Sequence, residues 1–169
     1  MNLKKQFAML AMSTLAASCW AQAASTVVAQ FGNSPDAGQA FSVNLASAGS
    51  DQEISGFAFK VIFDPSQVSL TGVKDNTNQP AAKVQYTMGP VVASEGGTTA
   101  SVVLVASTVK NLKAGSNLAE LQFAKQAGYA APFVFGVEDR LVARGVVDGL
   151  LNADLVNIPH TFDATQVNK

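Results

Sequence analysis

The residue types that carry out acid–base or nucleophilic chemistry are scarce in this chain of 169 residues. His160 is its only histidine, and Cys19 is its only cysteine. The sequence contains no Gly-x-Ser-x-Gly, no P-loop and no Gly-x-Gly-x-x-Gly. Because catalysis needs several reactive groups in one place, we interpret His160 as a surface residue. We expect a non-catalytic protein without a cofactor.

A calcium site would need six or more oxygen ligands. The late part of the sequence has four carboxylates that are candidates for such a site, but they lack the alternate spacing of an EF-hand loop. Arg140 and Arg144 lie among them, so we expect ordinary charge pairing and no metal site. The four carboxylates are Glu138, Asp139, Asp148 and Asp154.

The N-terminus is typical of a bacterial secretory signal peptide. Lys4 and Lys5 precede an apolar run at residues 7–17 that is too short to span a bilayer. Ala21-Gln22-Ala23 then provides a small-x-small cleavage sequence. We therefore expect a signal peptide at 1–23, one domain at 24–169, and a secreted or periplasmic location.

Cys19 offers an alternative, because a cysteine after small residues can be a lipid-attachment site. Such a site prefers a larger apolar residue three places earlier, where this chain has Ala16 and not Leu15. Without lipidation at Cys19, we expect no membrane attachment. Cleavage after Ala23 leaves nine basic and 12 acidic residues, and a mildly acidic chain without a basic patch is not expected to bind nucleic acid.

Hydrophobic periodicity predicts the elements of the fold. Phe57, Phe59, Val61 and Phe63 alternate, so a strand places all four on one face. Similar short runs recur at regular spacing with turn residues between them, although residues 109–121 also allow a helix. We predict an all-β protein, an antiparallel jelly-roll-like β-sandwich of roughly nine strands. Its core is predicted to contain Phe41, Val43, Phe57, Phe59, Val61, Phe63, Leu121, Phe123, Phe133 and Phe135.

The order of these elements resembles a cohesin domain over about residues 25–158. The most specific similarity is the phenylalanine-rich strand that runs into Asp64-Pro65. The other similar segments are residues 35–39 (Pro-Asp-Ala-Gly-Gln), 41–45 (Phe-Ser-Val-Asn-Leu), 68–73 (Val-Ser-Leu-Thr-Gly-Val) and 119–123 (Ala-Glu-Leu-Gln-Phe).

The resemblance implies a non-catalytic module that binds a partner protein. Cohesins bind dockerin modules through the outer face of one sheet, in assemblies that degrade extracellular polysaccharides. Many cohesins have Asn or Asp on the outer face of the central strand, where this chain has Gly56 and Ala58. The resemblance therefore leaves open whether the partner is dockerin-like or another protein.

Two further functions fit the same fold. A carbohydrate-binding module usually stacks sugar rings on aromatic side chains, and the chain after residue 23 has only Tyr86 and Tyr129 besides its phenylalanines. A flat platform for polysaccharide is not expected, whereas a shallow site for one glycan chain is left open. The other function is that of a structural subunit in an extracellular matrix or appendage.

The outward side of the central strand is the candidate partner-binding face. If Phe57 and Phe59 point inward, their neighbours point outward and form an unusually apolar surface, which needs a cover or a partner. A cover would come from a loop or from residues 141–151. The predicted face consists of Ile54, Gly56, Ala58, Lys60 and Ile62, widened by Val103 and Val105 if these two are the outward half of the apolar run at residues 102–105.

Overall fold

The computed structural model describes residues 24–49, 51–95, 97–140 and 149–168. The predicted signal peptide and Cys19 lie outside these residues, as does most of the segment 141–151. The described chain forms eleven strands and one short 3-10 helix, Pro35–Ala37. The strands are β1 Ser25–Asn33, β2 Ala40–Ala48, β3 Ile54–Phe63, β4 Val68–Lys74, β5 Val84–Met88, β6 Val92–Ala93, β7 Ala100–Leu112, β8 Asn117–Lys125, β9 Phe135–Asp139, β10 Gly149–Leu151 and β11 His160–Asp163.

The strands form two sheets, as predicted for a β-sandwich. The five-stranded sheet has the order β11-β1-β2-β8-β4. The six-stranded sheet has the order β10-β3-β7-β5, with β9 also paired to β3 and β6 also paired to β7. The pairs are antiparallel except for β1 and β11, which are parallel. β3 is therefore a central strand, with β7 on one side and β9 and β10 on the other.

The hydrophobic core lies between the sheets and is rich in phenylalanine. All ten residues predicted for the core are buried. The Phe57 and Phe59 rings stack with centroids 4.7 Å apart, and Phe123 packs edge-on against Phe63 at 5.9 Å. The alternation of β3 therefore identified the inward side of the sheet correctly at these positions.

A hydrogen-bonded turn ends β3, as the Asp64-Pro65 sequence predicts. The Asp64 carboxylate accepts hydrogen bonds from the backbone N–H of Ser66 at 2.8 Å and from its hydroxyl at 2.6 Å. These bonds to the Ser66 side chain and backbone hold the pKa of Asp64 below its ordinary value. The turn directs the chain into β4, which belongs to the other sheet.

The prediction that Ile54 faces outward was wrong. Ile54 is only 1% exposed and belongs to the core. The pairing of β3 with β7 shifts between Ile54 and Gly56, where Ile54 lies opposite Leu112 but Gly56 lies opposite Ser107. This irregularity changes the parity of the strand, because a bulge allows Ile54 and Phe57 to point to the same side.

The structure differs from the prediction at the ends of several elements. Eleven strands replace the roughly nine predicted, partly because β6 and β10 have only two and three residues. Just before Pro159 the chain makes a single bridge at Asn157, and the final strand follows the proline. The alternative helix at 109–121 is wrong, since β7 continues to Leu112 and Gly115 (φ 74°) turns the chain into β8.

No helix in the described residues is long and apolar enough to span a membrane.

Candidate functional site

The outer face of the six-stranded sheet contains most of the predicted partner-binding residues. Lys60 and Ile62 on β3 are half-buried, and so are Val103 and Val105 on β7. Their strand neighbours with the opposite parity are buried in the core. The two strands are paired here, with Lys60 opposite Val103 and Ala58 opposite Val105. These side chains therefore form one continuous surface across β3 and β7.

Gly56 and Ala58 lie at the bottom of an apolar hollow in this face. Ala58 is only 7% exposed, although it points away from the core. The longer side chains that surround Ala58 account for its burial. The hollow that they enclose has a volume of about 240 Å³. Its walls include Val105, Arg140, Leu151 and Leu155. We refer to this feature as the apolar hollow.

Gly56 is required by the close approach of β7. A Cβ atom at this position would lie 2.6 Å from the backbone oxygen of Ala106. Contacts this short force a backbone shift, because a strand carbonyl held in a sheet cannot move as a flexible side chain does. Gly56 therefore sets both the depth of the apolar hollow and the local path of β3.

Replacing Gly56 by alanine is expected to destabilise the domain by about 1–3 kcal/mol, the usual cost of overpacking. Denaturant unfolding measures this loss as a lower midpoint. Gly38→Ala is the matched control, because a Cβ atom at Gly38 meets nothing within 4 Å, and its effect should stay within about 0.5 kcal/mol. Equal midpoints for the two variants would show that β7 does not restrict position 56.

A tight turn presents Leu155 at the rim of the apolar hollow. Leu155 is 61% exposed and has a left-handed backbone conformation with φ 59°, which is costly for a residue other than glycine. The Asn152 side chain holds the turn by accepting hydrogen bonds from the N–H groups of Asp154 and Val156, at 3.0 and 2.9 Å. The Ser55 hydroxyl donates to the Asn152 carbonyl and so ties the turn to β3. Leu155 is thus an exposed apolar side chain in a fixed position.

Strand β9 adds charge to the face. Glu138 pairs with Lys60 at 2.7 Å, so this face carries charges of both signs. The backbone N–H of Arg140 donates to the Ala58 carbonyl at 3.4 Å. The Arg140 side chain lines the apolar hollow and also a neighbouring hollow bounded by Gly89, Pro90 and Val103.

His160 is not the surface residue that we predicted, since its side chain is 2% exposed. Nδ1 lies 2.7 Å from the Ile158 carbonyl oxygen, which can only accept, so Nδ1 carries a proton. Nε2 lies 2.8 Å from Asp139 Oδ1. Because β11 and β9 belong to different sheets, this pair connects the two sheets. Both ring nitrogens of His160 therefore make hydrogen bonds within the protein.

The candidate calcium ligands are not brought together in the described part of the chain. Glu138 pairs with Lys60, and Asp139 pairs with His160. No group of three or more His, Cys, Asp or Glu side chains that could hold a metal occurs among the described residues. Asp148 lies outside them.

The two tyrosines take part in internal contacts. The Tyr86 hydroxyl donates to the Leu118 carbonyl at 2.6 Å, and burial raises the pKa of this phenol far above its ordinary value. Tyr129 lies against Phe41, and Lys125 Nζ lies 4.6 Å from the centre of its ring. Neither ring lies on the outer face around the apolar hollow.

Sequence reasoning missed Arg140 and Leu155, which line the apolar hollow. Arg140 directly follows a short strand that pairs with β3, and this pairing joins residues almost 80 positions apart in the chain. The signal for the Leu155 turn was present, because an Asn at position 152 favours such turns through its side-chain oxygen.

No protein-family model and no curated protein sequence matches the chain. Solved structures do match in fold. A chain from the crystal structure of a cohesin–dockerin complex, CaDoc0917 with CaCohA2, is 13% identical with a TM-score of 0.53, and the match covers 82% of this chain and 94% of that one. The non-cellulosomal cohesin from the archaeon Archaeoglobus fulgidus has 11% identity and a TM-score of 0.48, over 82% and 86% of the two chains.

A cohesin module from a family 33 glycoside hydrolase of Clostridium perfringens has 14% identity and a TM-score of 0.48, over 84% and 98% of the chains. The match to the chain from the cohesin–dockerin complex has a TM-score above 0.5, and the described residues form two sheets. The chain therefore has a cohesin-like β-sandwich fold.

Proposed function

We propose that this domain is a non-catalytic interaction module that binds a partner protein through the outer face of its six-stranded sheet. The apolar hollow around Ala58 is the observation that carries the proposal. Sandwich sheets normally alternate between apolar inner side chains and polar outer ones, whereas this outer face combines Ala58, Val103, Val105 and Leu155. Burial of such a surface against a protein supplies affinity.

The similarity in fold to a chain of a cohesin–dockerin complex supports the same proposal. Gly56 and Ala58 bring no polar group to the centre of the face, so the partner need not be a dockerin of the usual kind. The setting in extracellular polysaccharide degradation depends on the cohesin resemblance alone.

Glycan binding is the alternative function, and the described residues favour it less. A sugar site needs polar groups that converge beside an aromatic surface. Tyr86 and Tyr129 both make internal contacts instead. A role as a structural subunit would use the same outer face, with a further subunit as the partner.

We also propose that the protein is exported, with a mature N-terminus at Ala24. The small-x-small sequence at residues 21–23 after an apolar run supports this cleavage site. Intact mass of the exported protein is expected to correspond to a chain that starts at Ala24. A lipid-modified N-terminal Cys19 would contradict the proposal and place the domain at a membrane surface.

Binding experiments with the exported domain separate the proposed function from glycan binding. Affinity capture from the secretome of the same organism should enrich one or a few proteins in stoichiometric amounts. Binding to a panel of insoluble polysaccharides should remain at background. Retention on a polysaccharide without any captured protein would favour the carbohydrate-binding alternative.

A further inference from the structure

Arg140 places a cation beside the apolar hollow of the proposed docking face. Its guanidinium makes no hydrogen bond or ion pair with any other residue in the described part of the chain. The neighbouring cation, Lys60, is already neutralised by Glu138 at 2.7 Å. The Arg140 side chain is half-buried and borders two hollows. It therefore stands beside apolar surface that docking would remove from water.

Removing water from a guanidinium is costly unless an acceptor replaces that water. A partner that covers the apolar hollow must therefore bring an acceptor to Arg140. A carboxylate matches the guanidinium best, because it accepts two parallel N–H hydrogen bonds and cancels the charge. An electrostatic match of this kind also excludes partners that bring a cation to the same place.

The size of the apolar hollow indicates what accompanies the carboxylate. Its volume of about 240 Å³ is below the roughly 300–1,000 Å³ that is typical of small-molecule sites. A cavity of about 150 Å³ is known to hold a benzene ring. The hollow is therefore large enough for one aromatic or large aliphatic side chain. Leu155 stands at its rim in a fixed turn and can pack against that side chain.

We propose that the partner is a protein segment in which a large apolar side chain stands beside an aspartate or glutamate. The apolar side chain fills the hollow between Leu155 and Val105, and the carboxylate pairs with the Arg140 guanidinium. This inference depends on the proposed function, since it specifies the chemistry of the partner at the same face.

Selection from a displayed random-peptide library tests the inference without knowledge of the natural partner. Four full-length exported proteins serve as bait: the wild type, Arg140→Glu and Lys110→Glu for selection, and Ala58→Arg for counter-selection. Lys110 is an exposed cation of β7 that does not border the hollow, so its charge reversal is the matched control. Only peptides that fail to bind an Ala58→Arg bait are counted, because these depend on the apolar hollow. Denaturant midpoints establish that each bait is folded.

Peptides selected on the wild type and on Lys110→Glu are expected to be enriched in Asp or Glu beside a large apolar residue. Arg140→Glu should select Lys or Arg at that position instead. Changing the peptide carboxylate to its amide should weaken binding to the wild type at least about tenfold, and should have little effect with Arg140→Glu.

Two results would overturn the inference, and they differ in meaning. Hollow-dependent peptides without acidic enrichment, or with the same sequences on Arg140→Glu, would refute the role of Arg140 but leave the docking face in place. Failure to obtain any hollow-dependent peptide would count against the docking face itself and therefore against the inference as well.

Discussion

Phe59→Ala is expected to lower the free energy of unfolding by about 3–5 kcal/mol, the usual cost of emptying a phenylalanine site in a packed core. Phe59 is 0% exposed and lies on the central strand. Its ring stacks on Phe57 at 4.7 Å and meets Phe162 edge-on at 5.3 Å. Phe162 belongs to the opposite sheet, so the substitution removes contacts both along β3 and between the sheets. Denaturant unfolding would show the loss as a lower midpoint.

Ile62→Ala on the same strand is the matched control. Ile62 is half-buried on the outer face, where its side chain lies next to Gly136. Its truncation creates little enclosed cavity, so the expected loss is about 1 kcal/mol or less. Equal losses for Phe59→Ala and Ile62→Ala would mean that the inward and outward sides of β3 are assigned incorrectly.

Ala58→Arg is expected to abolish capture of the partner while the domain stays folded. The arginine side chain would occupy the apolar hollow and bring a second cation next to Arg140. Within the described residues the hollow is open on its outer side, so the new side chain can extend outward with a stability loss of about 1–3 kcal/mol. Affinity capture with the wild-type and variant domains measures the loss of binding.

Ala124→Arg is the matched control for the docking face. Ala124 is half-buried on β8 in the five-stranded sheet, on the opposite side of the molecule. This variant should capture the partner as the wild type does. Unfolding of Ala58→Arg would instead show that another part of the chain covers the hollow, and the docking proposal would lose its main support.

The core could be predicted from the sequence because it depends on local alternation. Phe57, Phe59, Val61 and Phe63 follow one another at intervals of two, which only an extended strand can place on one face. The continuous apolar run at residues 102–105 has no such alternation and left its outward half open, and the structure shows that Val103 and Val105 form that half. These side chains keep their parity because β3 and β7 pair without a shift between residues 56 and 63.

Other features depend on pairing that is not encoded locally. Ile54 turns inward because the register with β7 shifts beside Gly56, and alternation alone cannot show where a register shifts. His160 is buried because β11 brings it to Asp139 of the other sheet. Arg140 and Leu155 reach the apolar hollow from late parts of the chain whose sequence has little regular period.

Protection of a single thiol by the captured partner would locate the docking face most directly. Cys19 is the only cysteine, so a Cys19→Ser background allows one thiol to be placed by Val103→Cys or by Ala124→Cys. The partner is expected to slow alkylation at position 103 on the six-stranded sheet and to leave position 124 on the five-stranded sheet unchanged. Protection at position 124 with none at position 103 would contradict the assignment of the docking face.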